Sequence, residues 1–406
     1  MNPTNRQRVL FRELISSVAA EQIWEYQVAL SAECRDVTKA TIDALHNPAD
    51  FPSLAAAIVP GDRVALAVDP SVPQLSAIIV GVTKAISQTD AGGIDVVLWD
   101  EATDELVQQL QRECDPAVDI SVHLSDSRET LRYLAADEAA DPIYLNRRLV
   151  DADFILPIMM LRPIDRLSGC DVTGIFPALS DSATRGRHRD ARLARIDENA
   201  NRNPPNLSWL LGVQLLLRVQ ASDSGNVGDL TAGAVEAMGR QTTSSTRLPD
   251  EFPPASPLVI ASLDGDAQQQ CWINAARAAE AASRFVTPGG TIVLWTEIAR
   301  PPRGHLVGLS APNVSEAEFV PSEQHPLPPW DATVGPAQVL AQLGHEHRIL
   351  LHSQVENELI EAMGIGTVET AEELNRLTRS FPACGVLRAA QFAGSTLVPA
   401  GRNAES

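Results

Sequence analysis

The stretch DRVALAVD, residues 62–69, decides how the chain is read. Five consecutive apolar residues, Val64 to Val68, close on Asp69-Pro70, a step that stops regular structure. A run this short and uninterrupted reads as a strand buried on both faces. Working outward, QLSAIIVGVTKAISQTDAG (74–92) suits a helix, and IDVVLWD (94–100) is a second buried strand. ATDELVQQLQREC (102–114) is an amphipathic helix, and DISVHLSD (119–126) and DADFILPIMM (151–160) are further strands. Strands alternating with helices of this length predict α/β architecture, with a parallel sheet whose sites lie at the C-terminal strand ends. Upstream, residues 8–46 show apolar positions near the 3.6-residue spacing and are expected to be helical.

The pattern pauses at QTTSSTRLPDEFPPASP (241–257), which is rich in Ser, Thr and Pro and reads as a linker. It restarts with LVIASLDGD as strand, QQQCWINAARAAEAASRFV as helix and GGTIVLWTE as strand. Residues 301–335 are Pro-rich and irregular, after which helices and strands resume. The expectation is two α/β, Rossmann-like domains, 1–245 and 258–406, with a cleft between them that would hold a ligand.

Composition narrows the function. Net charge is −20 over 406 residues, with a pI near 4.8, which disfavours nucleic acid and anionic membrane surfaces as partners. Of 32 basic residues only Lys39 and Lys84 are lysines, so chemistry needing an amine has two positions to choose from. Five scattered cysteines without a CxxC suggest reduced thiols, and no apolar run reaches membrane-spanning length; we expect a cytoplasmic protein. There is no Walker loop, GxSxG elbow, HExxH or strand-linked GxGxxG.

Several pieces occur in a telling order. They are VDPSVP (68–73), PIYLNRRLVDADFILPI (142–158), NPPNLSWLLGVQLLLRVQ (203–220), GDLTAGAVEAM (228–238) and DGDAQQQCWINAARAAEAASRFVTPGGTIVL (264–294). In that order the chain resembles the nickel-pincer lactate racemase family, whose pyridinium-derived nickel cofactor is tethered to a lysine between two α/β domains. The resemblance makes Asp69 and Ser71 candidate cofactor contacts, although Val72 stands in place of an arginine. It also maps LRPIDRLSGCDVTGIFPAL (161–179) onto the family's active loop. There Ile164 replaces the catalytic histidine, and Asp171 or Val172 takes the tethering lysine's place. Trp99 or Asp100 stands where the family's other histidine is expected.

His188, in TRGRHRD, lies near the family's nickel-ligating histidine and is the candidate metal ligand. Arg185, Arg187 and Arg189 around it oppose a cation, so without a pincer cofactor it reads as a surface histidine. Asn274 and Arg277 fall where the family holds its substrate; three residues apart, they share a helix face, and arginine can grip a carboxylate bidentately. Trp272 and Ile273 replace an expected tyrosine beside them. His345 and His347 in GHEHR would share a face if they lay on a strand, but surface histidines are the plainer reading. Asp100, Glu101, Asp104 and Glu105 read as a helix start that complements the helix dipole.

The resemblance therefore implies a divergent lactate-racemase-like protein without the tethered cofactor, binding a small anion such as a hydroxy acid in the interdomain cleft. The alternative is an active 2-hydroxy-acid racemase or epimerase, an isomerase using an untethered nickel-pincer nucleotide.

Overall fold

The computed structural model describes residues 23–27, 30–137, 139–162, 167, 170–193, 207–222, 224–242, 254–309 and 331–393. It holds two six-stranded sheets, and α/β is the fold class. The chain enters through β1 (Ile23–Gln27), α1 (Val37–His46) and the short α2 (Leu54–Ala57). Then follow β2 (Arg63–Val68), α3 (Leu75–Ile86), β3 (Gly93–Leu98), α4 (Asp104–Glu113) and β4 (Val118–Val122). A hairpin of β5 (Leu131–Ala136) and β6 (Pro142–Asn146), unanticipated by the sequence reading, precedes α5 (Arg147–Val150) and β7 (Phe154–Met160). The first sheet is completed after α6 (Ser182–Leu193) by β8 (Leu215–Ala221) and β9 (Val227–Ala234), which leads into α7 (Val235–Thr242). Its strand order is β4-β3-β2-β7-β8-β9, parallel except for the final antiparallel pair.

The second sheet is built from β10 (Ser256–Ser262), α8 (Trp272–Ser283), β11 (Val286–Trp295), α9 (Val334–Glu346), β12 (Arg348–His352), α10 (Asn357–Ala362), β13 (Gly366–Thr367), α11 (Ala371–Thr378) and β14 (Cys384–Arg388). All its pairings are parallel, in the order β1-β14-β10-β11-β12-β13. The apolar runs of β2, β3 and β7 became central strands, with five of the six β2 residues buried, while β4 lies at the sheet edge. No helix among the described residues is long and apolar enough to cross a membrane.

The expected helix over residues 8–46 needs correction. Residues 23–27 form a strand, and only 37–46 within the described part are helical. Ile-Trp-Glu-Tyr suits a pleated surface, and pairing with β14 decides the outcome. Trp24 and Tyr26 pack on Phe285, at ring-centroid distances of 5.6 and 6.2 Å, and the Trp24 indole donates to Ser256 Oγ at 2.8 Å. Gly385 makes room for that indole, because a Cβ there would sit 2.1 Å from Trp24. The expected boundaries place β1 with the first domain; the sheet order places it in the second. The far end crosses back in turn, since Ala389 and Phe392 pack in the core of the first sheet. Most of the expected linker, residues 243–253, lies outside the described residues.

The two sheets meet through a small set of contacts. Gln74, in the left-handed region at φ 51°, receives a carboxylate oxygen of Asp266 on its backbone N–H at 3.2 Å and accepts from Val227 N at 3.0 Å. The Gln269 amide donates to the Ser71 carbonyl. Here Gly225 (φ 75°) lies against Gly265, and an added Cβ would stand 2.4 Å from Gly265 N. Gly61 has a similar positive φ of 92° with open space around it. Both Gly225→Ala and Gly61→Ala carry backbone strain, but only the first adds an overlap, which typically costs about 1–3 kcal/mol. Urea denaturation should therefore show G225A less stable than G61A; equal midpoints would mean the junction yields without cost.

Candidate functional site

Three parallel strands of the first sheet, β2, β3 and β7, end at one edge, and the loops beyond them carry the chemistry. After β2, Asp69 turns its carboxylate back on its own loop. Its Oδ1 accepts from Ser71 N at 2.8 Å and from the Ser71 hydroxyl, and its Oδ2 accepts from Met160 N at 3.4 Å. This is an Asx turn that fixes the strand end. Val72, at the expected arginine position, is wholly buried.

After β3 comes Trp99-Asp100-Glu101. The reading of these carboxylates as part of a helix start is corrected: α4 begins at Asp104 and is capped by the Thr103 hydroxyl, which accepts from Leu106 N at 3.2 Å. Asp100 and Glu101 instead meet Arg185, on α6, at 2.6 and 3.6 Å. The Arg185 side chain is only 2% exposed. Burial alone would raise Asp100, but the Arg185 charge overcomes it and holds the carboxyl below its usual value. Removal from water, with Asp100 beside it, raises Glu101 to about 8. The adjacent carboxyl groups thus hold one proton between them near neutrality.

At the end of β4, His123 is fully buried and held from both sides. Nε2 lies 2.8 Å from the Ser180 carbonyl, which only an N–H can satisfy, and Nδ1 lies 3.2 Å from the Asn146 amide nitrogen. That pattern fixes the neutral ring, and burial lowers its pKa. We assign it a structural role.

Beyond β7, the loop carries Arg162 and then Cys170 and Asp171, with residues 163–166 and 168–169, Ile164 among them, outside the described residues. Asp171 is 5% exposed. Its Oδ1 accepts from Thr173 N at 3.0 Å and from Thr173 Oγ1 at 2.7 Å, while Oδ2 is buried without a hydrogen-bond partner. Burial raises its pKa to about 6. The neighbouring Cys170 thiol is pushed up to about 12, by burial first and then by Asp171 and Glu101, with Asp69 adding to the rise. Asp69, Glu101, Asp171 and Arg185 therefore share one neighbourhood. The Trp99 indole joins it, since its Cζ2 lies 2.9 Å from the position of a Cβ on Gly174, three residues past Asp171. The Trp99 Nε1–H is also buried without a partner.

The second unit presents the start of α8. Asn274 is wholly buried; its amide donates to the Gln269 carbonyl at 2.9 Å, and its Oδ1 accepts from Arg277 at 3.0 Å. Trp272 donates its indole N–H to the Arg300 carbonyl at 3.0 Å. Burial raises the Cys271 thiol, and Arg162, Arg277 and Arg300 all lie close enough to oppose that rise electrostatically. Arg300 also acts on Glu105, in the first turn of α4, which brings the arginine cluster to the same strand-end edge. The candidate substrate residues Asn274, Arg277 and Trp272 are thus gathered on one helix start, and Asp69 and Asp171 on the facing sheet edge.

His188 follows Arg185 by three residues on α6, its ring edge-on to Phe176 at 5.3 Å. His345 belongs to α9 and His347 caps it, so they do not share a strand face. His352, on β12, stacks on Trp295 at 3.8 Å. A cavity of about 550 Å³ opens at the opposite, N-terminal end of the first sheet, beside Phe51, Val59 and Phe154. Its carboxylates, Asp62 and Asp153, accept from Val59 N and Arg63 N, so it offers packing and little chemistry.

The Glu101 shift has a consequence for stability. The folded protein keeps a proton up to about pH 8 that the unfolded chain releases near 4.5, so stability falls as pH rises through that window. Asp171 adds a loss of the same sign, but only up to about pH 6, and the lowered His123 acts only below its ordinary value of 6.5. Between pH 6.5 and 8, Glu101→Gln should flatten the fall in Tm; an unchanged slope would mean that Glu101 is already ionised in the folded state.

No protein-family model and no curated protein matches the sequence. Solved structures do match. The lactate racemase apoprotein from Thermoanaerobacterium thermosaccharolyticum superposes with a TM-score of 0.71 at 14% identity, covering 93% of this chain and 95% of that one. A protein from Thermotoga maritima superposes with a TM-score of 0.64 at 10% identity, covering 89% and 99%. The chain has a lactate-racemase-like fold along nearly its whole length.

Proposed function

We propose that this chain is a divergent lactate-racemase-like protein that binds a small anionic molecule in the cleft between its two units, without a lysine-tethered nickel cofactor. The observation that carries the reading is the gathering of Arg162, Arg277 and Arg300 around Cys271 at the start of α8. Guanidinium groups at the positive end of a twelve-residue helix favour an anion. Asn274 positions the Arg277 guanidinium, and its own amide is fixed by Gln269, so the fork is held before a ligand arrives.

The residues present do not fit the family's cofactor. A tether needs an amine, yet Lys39 and Lys84 lie exposed on α1 and α3. At the tether's position the buried Asp171 carboxylate is already engaged by Thr173. For an untethered nickel group His188 is the candidate ligand, and its ring packs edge-on against Phe176.

A charge-assisted hydrogen bond contributes about 1.5–3 kcal/mol, so Arg277→Ala should weaken acetate or glycolate binding by roughly 10–100-fold. Arg303→Ala, at an exposed arginine that is not among the guanidinium groups acting on Cys271, should leave binding unchanged. Titration calorimetry of the three proteins reads this directly. Equal affinities for wild type and R277A, or no binding at all, would overturn the reading.

A further inference from the structure

The cleft has two poles of opposite sign. Arg162, Arg277 and Arg300 lie within electrostatic reach of Cys271, at the start of α8. Cys170, on the loop beyond β7, lies within reach of the carboxyl groups of Asp69, Glu101 and Asp171 and of the Arg185 guanidinium. Asp100 already pairs with that guanidinium at 2.6 Å. The loops join the poles: Arg162 follows β7, whose last residue, Met160, donates its N–H to Asp69, and Arg300 faces the first turn of α4, just past Glu101.

Within the acidic pole the Asp171 carboxylate is more than nine-tenths buried and has an oxygen without a hydrogen-bond partner. A buried acceptor left unsatisfied is costly, and the surplus of negative charge around it favours a cationic donor over a neutral one. The Trp99 N–H, buried and unpartnered in the same neighbourhood, asks for an acceptor. One kind of small molecule supplies a cation, an anion and spare acceptor oxygens together.

We infer that the ligand of this cleft is an amino-acid zwitterion, its ammonium group on Asp171 and its carboxylate towards Arg277 and its neighbouring arginines. This rests on the anion-site reading above and adds the opposite pole. The Trp99 N–H would serve a carboxylate oxygen of the same molecule. Asp100 and Glu101 share the Arg185 guanidinium, whereas Asp171 has no ion pair among the described residues, which makes it the ammonium's partner.

Two matched series test this by calorimetry on the full chain: glycine, glycolate and acetate, then β-alanine, 3-hydroxypropionate and propionate. Within each series only the group opposite the carboxylate changes, and the two series span different charge separations. In at least one series the amino compound should bind about tenfold more tightly than its hydroxy and unsubstituted partners. Asp171→Asn should remove that preference while the unsubstituted acid still binds, and Arg277→Ala should weaken all members. Circular dichroism and the retained binding of acetate or propionate show that Asp171→Asn has folded. If hydroxy and amino acids bind alike, or the hydroxy acid binds better, the zwitterion inference fails and the anion site stands. If no member of either series binds, both fail.

Discussion

The Arg185 guanidinium, almost wholly removed from water, is the constraint around which the first sheet's working edge is arranged. An isolated buried charge is prohibitively expensive, so carboxylates must come to it. Asp100 does so at 2.6 Å and Glu101 at 3.6 Å, which pins the end of β3 to α6. Two carboxyl groups facing one cation leave a surplus negative charge that the protein relieves by keeping a proton. The raised Glu101 and lowered Asp100 are therefore two consequences of one arrangement. The neighbouring Asp171, buried and raised in its turn, extends this acidic ground towards the cleft.

That edge is useful only because the second unit is held against it. Gln74, Asp266 and Gln269 bridge backbone and side chain across the junction, and the close approach of Gly225 to Gly265 excludes anything larger. The reciprocal crossing of the chain ends strengthens the arrangement: β1 completes the second sheet, while Ala389 and Phe392 enter the first core. The start of α8 is thereby held near the loops that follow β3 and β7, where Arg300 acts on Glu105 and Arg162 on Cys271.

What the sequence disclosed depended on whether the deciding contacts were local. DRVALAVD could be read as a strand because burial on both faces leaves an unbroken apolar run, and α3 because twelve residues show their own periodicity. β1 could not, because its partner lies at the other end of the chain and its apolar spacing also satisfies a helix. The same distinction separates the site residues. The turn at Asp69 is closed by Ser71, two residues on, and was legible in the Asp-Pro step that ends the strand, whereas Asp171, closed in the same way by Thr173, was read only as the tethering lysine's place. Arg185 and Asp100 are 85 residues apart, so nothing near Asp100 announced that it would face a guanidinium instead of capping a helix. Arg162 and Arg300 acquire meaning only when the fold brings them beside Cys271. The histidine pair at 345 and 347 could share a face only on a strand, and the helix runs on through residue 346.

The central claim is that one small molecule spans both poles of the cleft, and a crystal structure of the protein grown with saturating glycine or β-alanine tests it most directly. The account expects ligand density in the cleft, with the carboxylate against Arg277 and the nitrogen within hydrogen-bonding distance of Asp171 Oδ2. An empty cleft, or a ligand whose nitrogen points to solvent while Asp171 Oδ2 is satisfied by water, would contradict it.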